Sequence, residues 1–210
     1  MRLVTIGDSI TKGTYTAEGQ TAPLSVASPN FSYILKEKLG VEELINYGVN
    51  GVSISSSTNV NADMAIVKEV KNMQGGDIII VAAGTNDYGT NVPLGTIEDK
   101  TEDTFYGALY LLYSFLKNER AYARIFAVSP IRRLNSGKNK IGFTLEDYRN
   151  AIRTRAEEFG FCVIDGYAVP IYPEKERDRK KYMSDGLHPN EAGHALYAEV
   201  LFREIKKYIK

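Results

Sequence analysis

Five short runs of apolar, β-branched residues recur along the chain, at 3–6, 43–47, 77–83, 124–128 and 161–164. Between them lie longer stretches whose apolar positions fall three and four residues apart. Strands alternating with helices need crossover connections, so the pattern predicts an α/β chain built on a five-stranded parallel sheet. The third run, Ile78-Ile79-Ile80-Val81-Ala82-Ala83, is apolar on both faces, as a central strand covered by two helical layers must be. Helices are expected over 30–39, where Phe31, Ile34, Leu35 and Leu39 share a face and Gly40 follows as a stop, over 62–73 with the stripe Met64, Val67 and Val70, and over 104–116. Another opens at Thr144-Leu145-Glu146-Asp147 with a capping residue and continues through Tyr148, Ile152 and Ala156; the last spans 190–209. Two connections, 88–96 and 131–143, are longer than the topology needs. Both follow strands, so a right-handed parallel sheet places them on its carboxyl edge, where such folds bind ligands.

A length of 210 residues with 43% hydrophobic content fits one domain, 1–210, around a sizeable core. Twenty-six basic residues balance 26 acidic ones, which gives no field that would recruit nucleic acid or an anionic membrane. The charged runs 175–181 and 98–103 read as solvated faces. The single cysteine, Cys162, lies within Phe161-Cys162-Val163-Ile164 and reads as a small core residue with no intrachain disulfide partner. No apolar run nears the roughly 18 residues of a membrane span, and the chain enters strand-like sequence at Arg2 without the series of a secretory leader. The expectation is a soluble, cytoplasmic protein.

Chemistry concentrates where the runs end. Val4-Thr5-Ile6 gives way to Gly7-Asp8-Ser9, which sets a hydroxyl just past the first strand; Gly7 is expected to make the turn through backbone angles closed to other residues. By itself a Gly-Asp-Ser triplet is more often an ordinary turn. Near the other end, Asp185-Gly186-Leu187-His188-Pro189-Asn190 offers a carboxylate and an imidazole three residues apart before the last helix. Histidine, with an unperturbed pKa of about 6.5, can take a serine proton and return it to a leaving group, and a carboxylate fixes its tautomer. Of the two histidines, His194 lies inside the last helix and reads as a packed or surface residue. Acyl transfer also needs donors aimed at a developing oxyanion. Asn46-Tyr47-Gly48-Val49-Asn50-Gly51 offers main-chain N–H groups, and Gly84-Thr85-Asn86-Asp87 offers the Asn86 amide. No grouping of His, Cys, Asp or Glu has metal-site spacing, and neither a phosphate loop nor a dinucleotide fingerprint is present, so no metal or cofactor is expected.

Together these blocks resemble those of the SGNH hydrolase superfamily, the GDSL-type esterases. Gly7-Asp8-Ser9-Ile10 is similar to its first block with Ile for Leu, and Asn46-x-Gly48-x-x-Gly51, Gly84-Thr85-Asn86-Asp87 and Asp185-x-x-His188-Pro189 are similar to the other three. The resemblance implies a flavodoxin-like three-layer α/β/α sandwich, Ser9 as nucleophile, Asp185 and His188 as the rest of the triad, and an oxyanion hole of Ser9, Gly51 and Asn86. It does not choose among esterases, thioesterases, lysophospholipases and carbohydrate deacetylases.

The two long loops are polar, and a long acyl chain needs apolar wall at about 0.8 kcal/mol per buried CH₂. Hydrolysis of short, acetyl-like esters of a carbohydrate or other polar alcohol is therefore expected, with Tyr88, Arg132 and Arg133 as substrate contacts. The alternatives are a thioesterase or lysophospholipase of longer acyl chains and a non-catalytic glycan-binding module. Oligomeric state is not legible.

Overall fold

The computed structural model describes residues 1–57 and 62–209. Five parallel strands form the sheet: β1 (Arg2–Gly7), β4 (Glu43–Gly48), β5 (Ile78–Ala82), β6 (Arg124–Val128) and β7 (Cys162–Ile164), in spatial order β4-β1-β5-β6-β7. Two short strands, β2 (Thr14–Tyr15) and β3 (Ser25–Val26), pair antiparallel outside it. The chain leaves β1 toward β4 on one side and returns to β5 on the other, so strand order reverses at β1. That reversal opens the crevice in which flavodoxin-like sheets bind ligands.

Alternate residues of each central strand feed two cores. Val4, Ile6, Ile79, Val81, Ile125 and Ala127 meet α3 (Ile66–Glu69), α5 (Phe105–Glu119) and α6 (Leu145–Glu158). Leu3, Ile78, Ile80, Phe126, Val128 and Ile164 meet α2 (Phe31–Leu39) and α8 (Glu191–Ile205) on the opposite face. All five residues of β5 are buried, which is why its sequence shows no polar alternation. Helix ends are fixed by side chains: Asn30 caps α2, Asn190 caps α8, and Thr144 with Asp147 forms a reciprocal capping box on α6. Among the described residues no helix is long and apolar enough to cross a membrane.

Several elements depart from the sequence expectation. The helix expected over 62–73 is broken into a single α-turn, α3, between two 3₁₀ turns, Ala62–Met64 and Val70–Asn72. The N–H groups of Ile66 and Val67 donate to the carbonyls of Ser53 and Ile54, and Ala65 is extended, so long-range bonds replace the local ladder. The charged run 175–181 contains α7 (Glu176–Tyr182), and Asp178 within it is buried, accepting the Tyr172 N–H at 3.0 Å. That run is thus solvated on one side only. Cys162 is half-buried on an outer strand, not a full core residue, and burial raises its thiol pKa.

Two single-turn helices finish the carboxyl edge, α1 (Ser9–Lys12) after β1 and α4 (Thr85–Gly89) after β5. Gly7, expected to supply an unusual turn angle, does not have a positive φ. What it supplies is space: a Cβ there would stand 2.2 Å from the Ala82 carbonyl oxygen and 2.2 Å from Thr11 Oγ1. Thr11 Oγ1 donates to that same carbonyl at 3.1 Å, so α1 is pinned across β1 onto β5. Gly7→Ala must push backbone from backbone and is expected to cost about 1–3 kcal/mol. Chemical denaturation should show that loss, and an unchanged midpoint would mean the strand end can relax.

Candidate active site

Every motif-bearing segment lies at the carboxyl edge, and hydrogen bonds link them one to another. The Val49 N–H donates to the Gly7 carbonyl at 3.1 Å, joining the turn after β4 to the end of β1. Asn86 Nδ2 donates to the Val52 carbonyl at 2.8 Å, joining α4 to the same turn. The segment before α8 reaches back to β1 through Ser9 Oγ and His188 Nε2, 2.9 Å apart.

Ser9 opens α1, where the Asp8 carboxylate caps the helix by accepting the Ile10 N–H at 2.9 Å. Its hydroxyl is nearly enclosed, as is His188. His188 Nδ1 lies 2.8 Å from Asp185 Oδ2, and a carboxylate partner there assigns the ring proton to Nδ1 and the lone pair to Nε2, facing serine. The Ser9–His188–Asp185 line is therefore connected end to end in the order that proton transfer from serine requires.

Asp185 is held from four directions. Oδ1 accepts the N–H groups of Leu187 at 2.9 Å and His188 at 2.8 Å, while Oδ2 accepts His188 Nδ1 and Thr16 Oγ1, both at 2.8 Å. Partial burial alone would raise the carboxyl pKa, but these bonds outweigh it and hold Asp185 well below the usual carboxylate range. Thr16 has no motif around it. It follows β2, and the Ser184 hydroxyl donates to its carbonyl, so the small hairpin is sewn to the triad loop on both sides. Only the fold reveals this residue, because no spacing in the sequence relates positions 16 and 185.

The three expected oxyanion donors are disposed differently. Asn86 uses one N–H of its amide on Val52 and keeps a second. Among the described residues neither the Ser9 N–H nor the Gly51 N–H makes a hydrogen bond. Gly51 has φ 72°, a left-handed conformation that suits glycine. Asn46 serves structure: Oδ1 accepts the Gly48 N–H, and Nδ2 donates to the Thr11 carbonyl at 2.8 Å, tying β4 to α1.

Two carboxylates are buried beneath these groups. Burial pushes the Asp8 carboxyl up to about 6, against the Ile10 N–H and the nearby His188. Burial likewise pushes Asp87 up to about 7, although its oxygens accept the Ser55 and Ile54 N–H groups. Asp87 thereby holds the segment 52–55 against α4. His194 is packed, as its helical position suggested: it is fully buried, stacks on Phe31, accepts the Phe31 N–H on Nδ1, and burial lowers its pKa to about 4.

The expected substrate contacts part company. The Tyr88 hydroxyl donates to the Asn135 and Gly137 carbonyls, so it fastens the 131–143 loop and is not free to donate to a ligand. Arg132 donates to the carbonyls of Tyr167 and Val169 and lies over the rings of Tyr167 and Tyr172, committed to the 166–172 segment. Arg133 alone turns toward the motif segments, with Nη1 3.1 Å from both the carbonyl and the hydroxyl oxygen of Thr85. Among the described residues no cluster of three or more His, Cys, Asp or Glu side chains could hold a metal ion.

Comparison with known proteins bears on the fold and the family. The chain aligns over its whole length with a solved structure from Lactobacillus plantarum, at 27% identity and a TM-score of 0.85, covering 98% of that chain. A possible lipase from Chitinophaga pinensis shares 22% identity and a TM-score of 0.73, with 98% of each chain covered. A variant of an acetyl-xylooligosaccharide esterase from Geobacillus Stearmophilus shares 21% identity and a TM-score of 0.64, over 97% of this chain and 93% of that one; these two likenesses bear on the fold. No curated protein matches the sequence at a significant level. The profile of the GDSL-like Lipase/Acylhydrolase family matches residues 5–196, nearly the whole chain, and this protein therefore belongs to that family of ester-hydrolysing enzymes.

Proposed function

We propose that this enzyme removes short, acetyl-like acyl groups from a carbohydrate or similarly polar alcohol through a covalent acyl-enzyme on Ser9. The observation that carries the covalent route is the unbroken Ser9–His188–Asp185 line, with contacts of 2.9 and 2.8 Å. Ser9 Oγ attacks the acyl carbon as His188 Nε2 takes its proton, and Asp185 stabilises the imidazolium. The tetrahedral oxyanion forms where the Ser9 and Gly51 N–H groups and the second Asn86 N–H can receive it. His188 then protonates the departing alcohol, and water, activated by the same imidazole, releases the acid. An intact triad weighs against a non-catalytic glycan-binding module.

Cavity size supports the short acyl group. Among the described residues a small apolar hollow of about 190 Å³ lies beside the ends of β1 and β4, lined by Gly7, Tyr47, Val49, Val52, Ile66 and Met73 among others. A larger cavity of about 560 Å³ lies at the opposite, amino edge beside Asp77 and Arg124, where a chain attached to Ser9 does not reach. The structural likeness to an acetyl-xylooligosaccharide esterase points the same way.

Ser9→Ala should abolish turnover, and an organophosphonate should give one adduct, at Ser9, by mass spectrometry; an adduct elsewhere rejects the mechanism. Asn86→Ala should lower kcat by roughly 100- to 1,000-fold with a smaller change in KM.

Thr16→Val should lower kcat by about 10-fold, the equivalent of one hydrogen bond to a charged acceptor, and Thr16→Ser should restore it. A Val variant as active as the parent would leave Thr16 without a part in orienting Asp185.

Across p-nitrophenyl esters from two to sixteen carbons, kcat/KM should be greatest among the shortest. A preference that climbs beyond eight carbons would overturn the short-acyl reading in favour of a thioesterase or lysophospholipase.

A further inference from the structure

We infer that the Arg133 guanidinium receives an anionic group of the substrate, a carboxylate or a phosphate, so that the enzyme favours esters bearing negative charge near the scissile bond. This rests on the active site proposed above and names a feature of its substrate.

Arg133 sits where two motif segments meet. Its own loop is fastened to the triad segment by the Leu134 N–H, which donates to the Gly186 carbonyl at 2.7 Å. Its Nη1 reaches the carbonyl and hydroxyl oxygens of Thr85, the residue before Asn86, and its guanidinium lies over the Tyr88 ring, 5.4 Å from the centroid. The charge is thereby held between the segments that carry Asp185 and Asn86.

Its partners do not match its charge. Arg155 and Arg149, whose side chains are 1% and 10% exposed, are ion-paired: Arg155 meets Glu158 at 2.6 Å, and Arg149 meets Glu146 and Asp165, each at 2.6 Å. Arg133 forms no ion pair among the described residues, and both acceptors of its Nη1 are neutral. Its Nε is buried and has no hydrogen-bond partner. Arg149 also leaves Nε unpartnered, but both of its Nη atoms meet carboxylates. Burial lowers the Arg133 pKa, and the more distant charges of Asp8 and Asp185 do not cancel that effect.

A cation drawn out of water without a contacting anion raises the free energy of the empty protein. Placed in a reactive cleft, it is poised for a ligand that supplies the missing charge. With Nη1 engaged by Thr85 and Nε enclosed, Nη2, which makes no hydrogen bond among the described residues, is the donor left for a carboxylate or phosphate oxygen, whereas a neutral sugar hydroxyl leaves the charge uncompensated.

The test compares esters matched except for charge. On the acyl side the pair is p-nitrophenyl hemisuccinate and p-nitrophenyl butyrate. On the alcohol side 4-acetoxybenzoate and 4-acetoxyphenyl phosphate are each set against 4-acetoxybenzamide, so the three arms separate acyl-borne carboxylate, alcohol-borne carboxylate and phosphate. At least one anionic ester should exceed its neutral partner in kcat/KM, and Arg133→Gln should reduce that ratio by about 10- to 100-fold. Arg133→Lys, which keeps the charge and loses the planar guanidinium, should fall between and serves if the Gln variant does not fold. A purely structural role would lower both members in proportion and leave the ratio unmoved. Ser9-dependent turnover with no charge preference, or a preference that survives both variants, overturns this inference and leaves the acyl-enzyme standing. Should no ester be turned over, the acyl-enzyme reading fails separately. Calorimetric titration with 4-hydroxybenzoate then reads the anion site directly, Arg133-dependent binding supporting it and absence of binding overturning it.

Discussion

One contact of 2.9 Å, between Ser9 Oγ and His188 Nε2, joins residues 179 positions apart, and most of the architecture bears on that distance. Ser9 is fixed by α1, whose position depends on Gly7 admitting the Thr11 hydroxyl to the Ala82 carbonyl. His188 is fixed by Asp185, and Asp185 by four hydrogen bonds, one of them from Thr16 on the hairpin that follows α1. The two ends of the contact thus share a support: the segment just after the serine helps to hold the carboxylate behind the histidine. A displacement of either strand end is felt at both, and a shift of about 1 Å in such a geometry costs on the order of 100-fold in rate.

The floor of the site is polar and largely dry. Asp8 and Asp87 are buried carboxylates whose pKa values burial lifts to about 6 and about 7, each restrained by backbone N–H groups. Their work is architectural: Asp8 caps the helix that carries Ser9, and Asp87 holds the turn that contains Val52, the residue to which Asn86 is tied. Carboxylates at these positions draw loop N–H groups inward with a strength neutral acceptors lack. The penalty is a pair of charges in low dielectric, whose pKa values, raised from 3.8, make this floor less stable as pH rises from about 4 to about 7. Arg133 is a charge of opposite sign near Asp8, yet it does not contact it.

The long loop after β6 shows how a scaffold spends polar side chains on position before any reach the ligand. Tyr88 and Asn139 fasten it to α4, Leu134 to the triad segment, and Arg132 to the segment after β7. Sequence reading grouped Tyr88, Arg132 and Arg133 as contacts because all are polar and near a strand end. The fold divides them, since a hydroxyl with one proton and a guanidinium stacked between two rings are already engaged.

What the sequence determined by itself was the sheet and the placing of the motif-bearing segments along its carboxyl edge. All five runs became strands, because an apolar β-branched stretch bounded by turn residues has few other ways to be buried; the catalytic edge followed from which residues stood at the strand ends. The helix cap at Thr144 was equally local. Tertiary structure decided whatever depended on partners far along the chain. The helix expected over 62–73 yielded to bonds with Ser53 and Ile54, α1 and α4 were too short to show a period, and Gly7 proved necessary for approach and not for angle. Thr16 and Arg133 acquired meaning only from neighbours, Asp185 for one and Thr85 for the other. A periodicity records which face a residue turns inward; it carries no record of what stands opposite, and hydrogen bonds and uncompensated charges are properties of what stands opposite.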